Sequence, residues 1–167
     1  MAGDEAGLRA QFAPVKPLAA LKVLDHLDAY ARRFIALSPF VVVASAAAAG
    51  NVDARPRRRR PRLIFLVPGI NETLRVNGTA AMIRDPALLE SLAADGKVPT
   101  AGLLVQVREA SFQCGKAIIR AQLWDPARHV DRSTFPSLGS ILAGQTATAT
   151  VSEAEAAIAE GDRMRLY

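Results

Sequence analysis

The spacing of hydrophobic residues switches between helical and strand periods along the chain. Over residues 17–37 apolar side chains recur at steps of three and four, which predicts one amphipathic helix that ends before Pro39. The β-branched run FVVVASA that follows predicts a strand. The run LIFLV at residues 63–67 is apolar on both faces and predicts a buried strand.

The segment ETLRVNGTAAMI, residues 72–83, has the alternation of a strand with two unlike faces. Leu74 and Val76 point one way, and Arg75 and Asn77 point the other way. Gly78 predicts a bulge or the close approach of another backbone. We interpret Asn77 and Gly78 as strand geometry and not as ligands. The segment GLLVQVREASF, residues 102–112, predicts another strand.

Helices are predicted between and after these strands. Asp85 is the expected N-cap of a helix over residues 86–94, and CGKAIIRAQLW is a further helical segment. Ser152 and Glu155 predict a capping box for a helix over residues 152–160. Strands in hairpins with helices inserted between them predict an α+β fold with a small antiparallel barrel at its centre.

Positive charge is concentrated in one stretch. The six arginines from Arg55 to Arg62 exceed the net charge of the whole chain, which is +5. A nucleic-acid-binding surface spreads its basic residues over a face, so we do not expect a nucleic-acid partner. No stretch reaches the roughly 18 apolar residues of a membrane span, and the acidic first residues lack the order of a signal peptide. A cytoplasmic protein without a membrane partner is the expectation.

The sequence contains little recognisable catalytic chemistry. Cys114 is the single cysteine, and His26 and His129 lie far apart, so no metal site is predicted. Cys114 has Lys116 nearby, but the apolar flanks favour a buried structural thiol over a nucleophile. Dinucleotide-binding, phosphate-loop and serine-hydrolase motifs are missing. No catalytic residue is assigned.

Three stretches carry more information than their periodicity: RRFIALSPFVVVAS, LIFLVPGINETLRVNGTA and CGKAIIRAQLWDP. They are similar to the pyridoxamine 5′-phosphate oxidase-related flavoproteins, and most closely to a bacterial subgroup. The resemblance implies an FMN-binding split β-barrel, antiparallel and Greek-key-like, with flanking helices. This barrel would span residues 20–145, between an N-terminal extension over residues 1–19 and a C-terminal helical tail over residues 146–167.

The resemblance also implies a homodimer that binds FMN between its two chains. The expected activity is that of an FMN-dependent oxidoreductase, with a small-molecule substrate or electron acceptor. The alternative is a non-catalytic flavin- or haem-binding module, or a family member inactivated by a deletion. A strand and an arginine- and asparagine-rich phosphate-binding stretch of the subgroup are missing around residues 57–62, where the arginine run stands.

The resemblance suggests five cofactor-binding residues, each with a second interpretation. Arg57 binds the flavin phosphate or is one of six interchangeable loop arginines. Lys116 and Arg120 lie on one face of a helix, near the flavin or the dimer seam, or form a solvated charged face. Trp124 packs beside the flavin ring or in the core. Arg75 points at the dimer interface or at a ligand at the end of the barrel.

Overall fold

The computed structural model describes residues 16–46, 52–53 and 61–165, together with residues 7, 10, 11 and 14. The chain divides into two compact units. The first contains the described residues up to Ala81 and Leu104–Trp124, and the second contains Met82–Leu103 and the described residues from Asp125 onward.

In chain order the elements are α1 (Pro17–Leu21), α2 (Ala29–Leu37), β1 (Phe40–Ala46), β2 (Val52–Asp53), β3 (Arg62–Leu66), β4 (Thr73–Ile83), α3 (Pro86–Glu90), β5 (Gly102–Gln113), α4 (Lys116–Ala121), α5 (Leu138–Thr146) and α6 (Val151–Arg165), with short 3₁₀ turns at Pro126–Arg128 and Arg132–Thr134.

The strands form one sheet in the order β2-β1-β3-β4-β5, in which β2 is only two residues long. The pairs β1–β2, β1–β3 and β3–β4 are antiparallel. The α+β class and the antiparallel sheet predicted from the sequence are confirmed. Within the described residues the sheet is open, and the split barrel stays a prediction.

One side of the sheet forms the hydrophobic core of the first unit, together with α2. Asp28 begins α2 as its N-cap, because its Oδ1 accepts a hydrogen bond from Ala31 N at 2.8 Å. Ala31 and Phe34 on this helix are buried against Leu74, which has 0% of its surface exposed. The ring of Phe34 also meets Phe112 of β5 edge-on, with 5.3 Å between centroids.

The single helix predicted over residues 17–37 is wrong, because the chain forms two helices separated by an extended segment. In that segment Leu24 exchanges both backbone hydrogen bonds with Ala110 of β5, at 2.9 and 2.7 Å. The apolar spacing continues through the break, so periodicity alone did not reveal it. The break depends on the free edge of β5, which pairs with the backbone of Leu24 and lies far away in the sequence.

Strands β4 and β5 approach each other closely at Gly78. A Cβ atom there would collide with the backbone carbonyl of Gln106, so the predicted close backbone approach is confirmed. In β5 the side chains that pack on the core are Val105 and Val107, followed by Ala110 and Phe112. Two residues instead of one separate Val107 from Ala110, as in a β-bulge.

The second unit contains a pair of packed helices, α5 and α6. Ser137 is the N-cap of α5 and its hydroxyl also bonds the Glu155 carboxylate on α6. The capping box predicted at Ser152 and Glu155 is wrong by two residues. Helix α6 begins earlier, and Thr150 and Glu153 form the reciprocal pair, with Thr150 N donating to Glu153 Oε2 at 2.8 Å.

The capping pair makes the stability of α6 sensitive to acid. The hydrogen bonds from the backbone and the side chain of Thr150 lower the pKa of Glu153. A lowered pKa in the folded state means that the carboxylate stabilises the helix above its ordinary pKa. That contribution is lost as the pH falls through the lowered value.

We therefore expect Glu153→Gln to weaken α6 at neutral pH and to reduce the loss of helix on acidification. Helical circular dichroism, followed during thermal melting at neutral and acidic pH, measures both effects. Glu160→Gln, on the same helix, controls for the change in net charge. Equal acid sensitivity of the parent and the Glu153 variant would contradict the prediction.

Helix α3 is shorter than predicted. It ends at Glu90 instead of residue 94, although Asp85 caps it as expected and accepts a hydrogen bond from Leu88 N at 3.1 Å. Among the residues that the structure describes, no helix has both the length and the apolar character needed to cross a membrane.

Candidate functional site

The side of the sheet opposite the core combines apolar and cationic side chains. Side chains alternate along a strand, so residues between the buried core positions point to this side. We call it the outer face. Val42 on this face is 39% exposed, whereas Ile64 and Arg75 are half-buried. Backbone pairing arranges the outer face in two rows, Val42–Ile64–Arg75 and Ala44–Arg62–Asn77.

Two polar atoms of the outer face are buried without a hydrogen-bond partner. They are Arg75 Nε and Asn77 Oδ1. The other amide atom of Asn77, Nδ2, donates to Glu109 Oε2 at 2.8 Å. Leaving a buried polar atom unpaired costs about 1–3 kcal/mol. Folded proteins contain few such atoms, and each one requires an explanation.

A polar cleft of about 520 Å³ is lined in part by Asn77. Its volume lies in the range of about 300–1,000 Å³ that is usual for small-molecule sites. Arg62, Arg108 and Glu109 are among its lining residues, so cationic residues outnumber anionic ones. The residues of the polar cleft are Pro61, Arg62, Asn77, Gly78, Thr79, Arg108 and Glu109.

Hydrogen bonds within β5 and between neighbouring strands position the walls of the polar cleft. Gln106 Oε1 accepts from Thr79 Oγ1 at 3.3 Å and from Arg108 Nη2 at 3.4 Å. Gly78 N donates to Pro61 O at 3.3 Å, which ties β4 to the residue before β3. The cleft is therefore built on strands and not on a free loop, an arrangement that favours a preformed site.

A second, apolar cavity of about 460 Å³ lies in the first unit, beside Leu74 and Phe112. At its rim Lys22 Nζ donates to Phe112 O at 2.7 Å. His26 Nδ1 lies 2.8 Å from Asp25 Oδ1, and this hydrogen bond lowers the pKa of Asp25. Among the described residues, none of the unpartnered buried polar atoms belongs to this cavity. We therefore place the candidate site at the outer face and the polar cleft.

Trp124 lies in the turn after α4, half-buried. Its indole Nε1 donates to Ile70 O at 2.9 Å. At the other end of the helix, a Cβ on Gly115 would come within 2.5–2.8 Å of Asn71 atoms. Both ends of this short helix therefore hold the turn between β3 and β4. The hydrogen bond to Ile70 is the observed contact that supports the core interpretation of Trp124.

The remaining predicted site residues are not brought together. Lys116 and Arg120 are exposed on α4, and within the described part of the chain no hydrogen bond joins them or Trp124 to Arg75. Arg57 lies outside the described residues. Cys114 is exposed, so its interpretation as a buried thiol is wrong.

Sequence analysis missed three residues of this site. Asn77 was interpreted as strand geometry, although the alternation of β4 already placed it on the same face as Arg75. Arg62 was counted only as part of the arginine run. Arg108 was missed because no motif marked it, although alternation from Val105 and Val107 places it on the outer face.

The chain matches no protein-family model, no curated protein and no solved structure. Among the residues that the structure describes, no group of three or more His, Cys, Asp and Glu side chains could hold a metal ion.

Proposed function

We propose that this protein binds FMN and acts as an FMN-dependent oxidoreductase on a small molecule. The motif FLVPGINETLRVNG, which resembles the pyridoxamine 5′-phosphate oxidase-related flavoproteins, spans β3, the following turn and the first half of β4. The observation that carries the proposal lies on the same motif. Arg75 Nε and Asn77 Oδ1 are buried there with no hydrogen-bond partner.

The chemistry of the outer face fits a flavin. A flavin combines a flat, largely apolar ring system with a polar pyrimidine edge and a phosphate. Val42 and Ile64 offer apolar surface in the same row as Arg75. Arg75 supplies a donor at Nε and Asn77 supplies an acceptor at Oδ1. Asn77 is two residues from Arg75, which is about 7 Å along a strand.

These residues would hold and orient the flavin. The flavin, when bound, supplies the reversible acceptance of a hydride or of electrons. The chain supplies binding groups: Arg75 and Asn77 hold polar atoms of the ring, and the apolar side chains of Val42 and Ile64 exclude water. A positive charge beside the ring also tunes its electron affinity. The phosphate requires further cations, for which Lys116, Arg120 and the arginine run remain proposals.

A split barrel and a homodimer belong to the same proposal. The outer face carries exposed apolar side chains, with Phe40 exposed to 63% and Val42 to 39%. A second chain packed over this face would cover them and would enclose a flavin between the two chains. Light scattering on the FMN-loaded protein measures this, and a folded monomer that binds FMN fully would contradict the dimer alone.

The test of the proposed function is a titration with FMN, followed by quenching of flavin fluorescence. Arg75→Lys keeps the positive charge but removes the Nε donor. A hydrogen bond to a charged group contributes about 1.5–3 kcal/mol, so we expect binding to weaken about 10- to 100-fold. Arg33→Lys, on the exposed surface of α2, is the matched control and should bind like the parent.

A parent protein that shows no flavin absorption after purification and no quenching on addition of FMN would refute the proposed function. Equal FMN affinity in the parent and in Arg75→Lys would remove Arg75 from the site. A flavin that binds but is not reduced by any tested donor would indicate a non-catalytic flavin-binding module.

A further inference from the structure

We infer that Asn77, flanked by Arg62 and Arg108, recognises an imide edge, which is a ring N–H between two carbonyl oxygens. In FMN this edge belongs to the pyrimidine part of the ring. The inference rests on the proposed function and specifies which end of the flavin enters the polar cleft.

The contacts of Asn77 determine which of its amide atoms is free. An ionised carboxylate only accepts hydrogen bonds, so the atom that lies 2.8 Å from Glu109 Oε2 is the Nδ2 donor. The carbonyl atom Oδ1 is left buried without a partner. The free position of this side chain is therefore an acceptor, and it requires a donor such as a ring N–H.

Residues with donor groups lie on both strands that neighbour Asn77. Arg62 is the Cα partner of Asn77 on β3, and Arg108 lines the same cleft from β5. A guanidinium group carries five N–H donors and no acceptor, and Arg108 uses one of them in a long bond of 3.4 Å to Gln106. The cleft thus offers donor, acceptor and donor, which complements the acceptor, donor and acceptor of an imide.

The same contacts argue against a phosphate group at Asn77 Oδ1. The Glu109 carboxylate is held beside Asn77, and it lines the cleft. Like charges at this range repel, and the free Oδ1 acceptor has no proton to offer a phosphate oxygen. A neutral imide meets neither penalty. A ring N–H is therefore favoured over a phosphate oxygen at Asn77 Oδ1, although Arg62 and Arg108 give the cleft as a whole more cations than anions.

The test compares FMN with its N3-methyl derivative, in which a methyl group replaces the imide hydrogen and the phosphate is unchanged. Fluorescence titration gives both dissociation constants for each protein. We expect the parent to bind the methylated compound about 10-fold or more weakly, because a buried acceptor then stays unpaired. In Asn77→Leu the acceptor is gone, and the ratio of the two constants should fall to near one.

Gln113→Leu is the matched control. It removes another half-buried amide of the first unit, one that bonds Ser111 Oγ at 2.9 Å and lies outside the cleft. It should keep the discrimination of the parent. Each ratio is taken within one protein, so a loss of stability that weakens both ligands cancels. Asn77→Val, whose β-branched apolar side chain suits a strand and carries no acceptor, replaces Asn77→Leu if that variant does not fold.

The outcomes separate this inference from the proposed function. A parent that binds FMN and its methylated derivative equally well overturns the inference and leaves the proposed function intact. Full discrimination retained in the Asn77 variant also overturns it. A parent that binds neither compound overturns the proposed function and the inference together.

Discussion

Replacing Leu74 with alanine is expected to lower the free energy of unfolding by about 2–5 kcal/mol, the usual cost of truncating a buried leucine. Leu74 has 0% of its surface exposed and lies in the same core cluster as Ala31 and Phe34 of α2. An apolar cavity already adjoins it, so few atoms are available to fill the space that the side chain leaves. Small domains have a total stability of only about 5–15 kcal/mol, and the variant will be close to unfolding.

Chemical denaturation followed by circular dichroism measures this loss. Leu104→Ala on β5 is the matched control, because the same atoms are removed from a side chain that is 56% exposed. The control should change stability by well under 1 kcal/mol, as surface substitutions usually do within about 0.5 kcal/mol. Equal effects of the two substitutions would contradict the assignment of Leu74 to the core.

Replacing Trp124 with alanine is expected to cost about 3 kcal/mol, the lower end of the range for a core tryptophan, because the side chain is only half-buried. The indole packs at the end of α4, and its Nε1 donates to Ile70 O at 2.9 Å. The substitution removes apolar contact area and leaves the carbonyl of Ile70 without this donor. We expect the turn between β3 and β4 to loosen.

Trp124→Phe separates the two contributions. It keeps an aromatic ring but loses the N–H donor and part of the ring area, so its cost should lie between about 1 kcal/mol, the net value of one hydrogen bond, and the cost of Trp124→Ala. Thermal melting of the FMN-free protein and FMN titration are measured on the same preparations. If melting is unchanged in Trp124→Ala while FMN binds more weakly, Trp124 packs beside the flavin and the core interpretation is wrong.

The strands were predictable from the sequence because their signals are local. The run from Leu63 and the alternation around Leu74 and Val76 lie within about a dozen residues each, and burial on one face of a strand requires that pattern. The break between α1 and α2 was not predictable. Leu24 leaves the helical path to pair with Ala110, more than eighty residues later, and no local signal marks such a partner.

The candidate site divides in the same way. Arg75 was predicted because the alternation of β4 and the motif around it are both visible in the sequence. Asn77 became a candidate site residue only because of its surroundings. Its Nδ2 donates to Glu109, and its buried Oδ1 has no hydrogen-bond partner. A bond across neighbouring strands depends on the register of their pairing, which local spacing does not contain.

By itself, the sequence determined the α+β class, the positions of the main strands, the N-cap at Asp85 and the placement of Arg75 opposite the core face of β4. Each follows from local periodicity or from the hydrogen-bonding capacity of one side chain. The tertiary structure alone decided the strand order, the break before α2, the bulge in β5 and the polar cleft. These features depend on which distant backbones pair, and that choice depends on burial and register summed over the whole sheet.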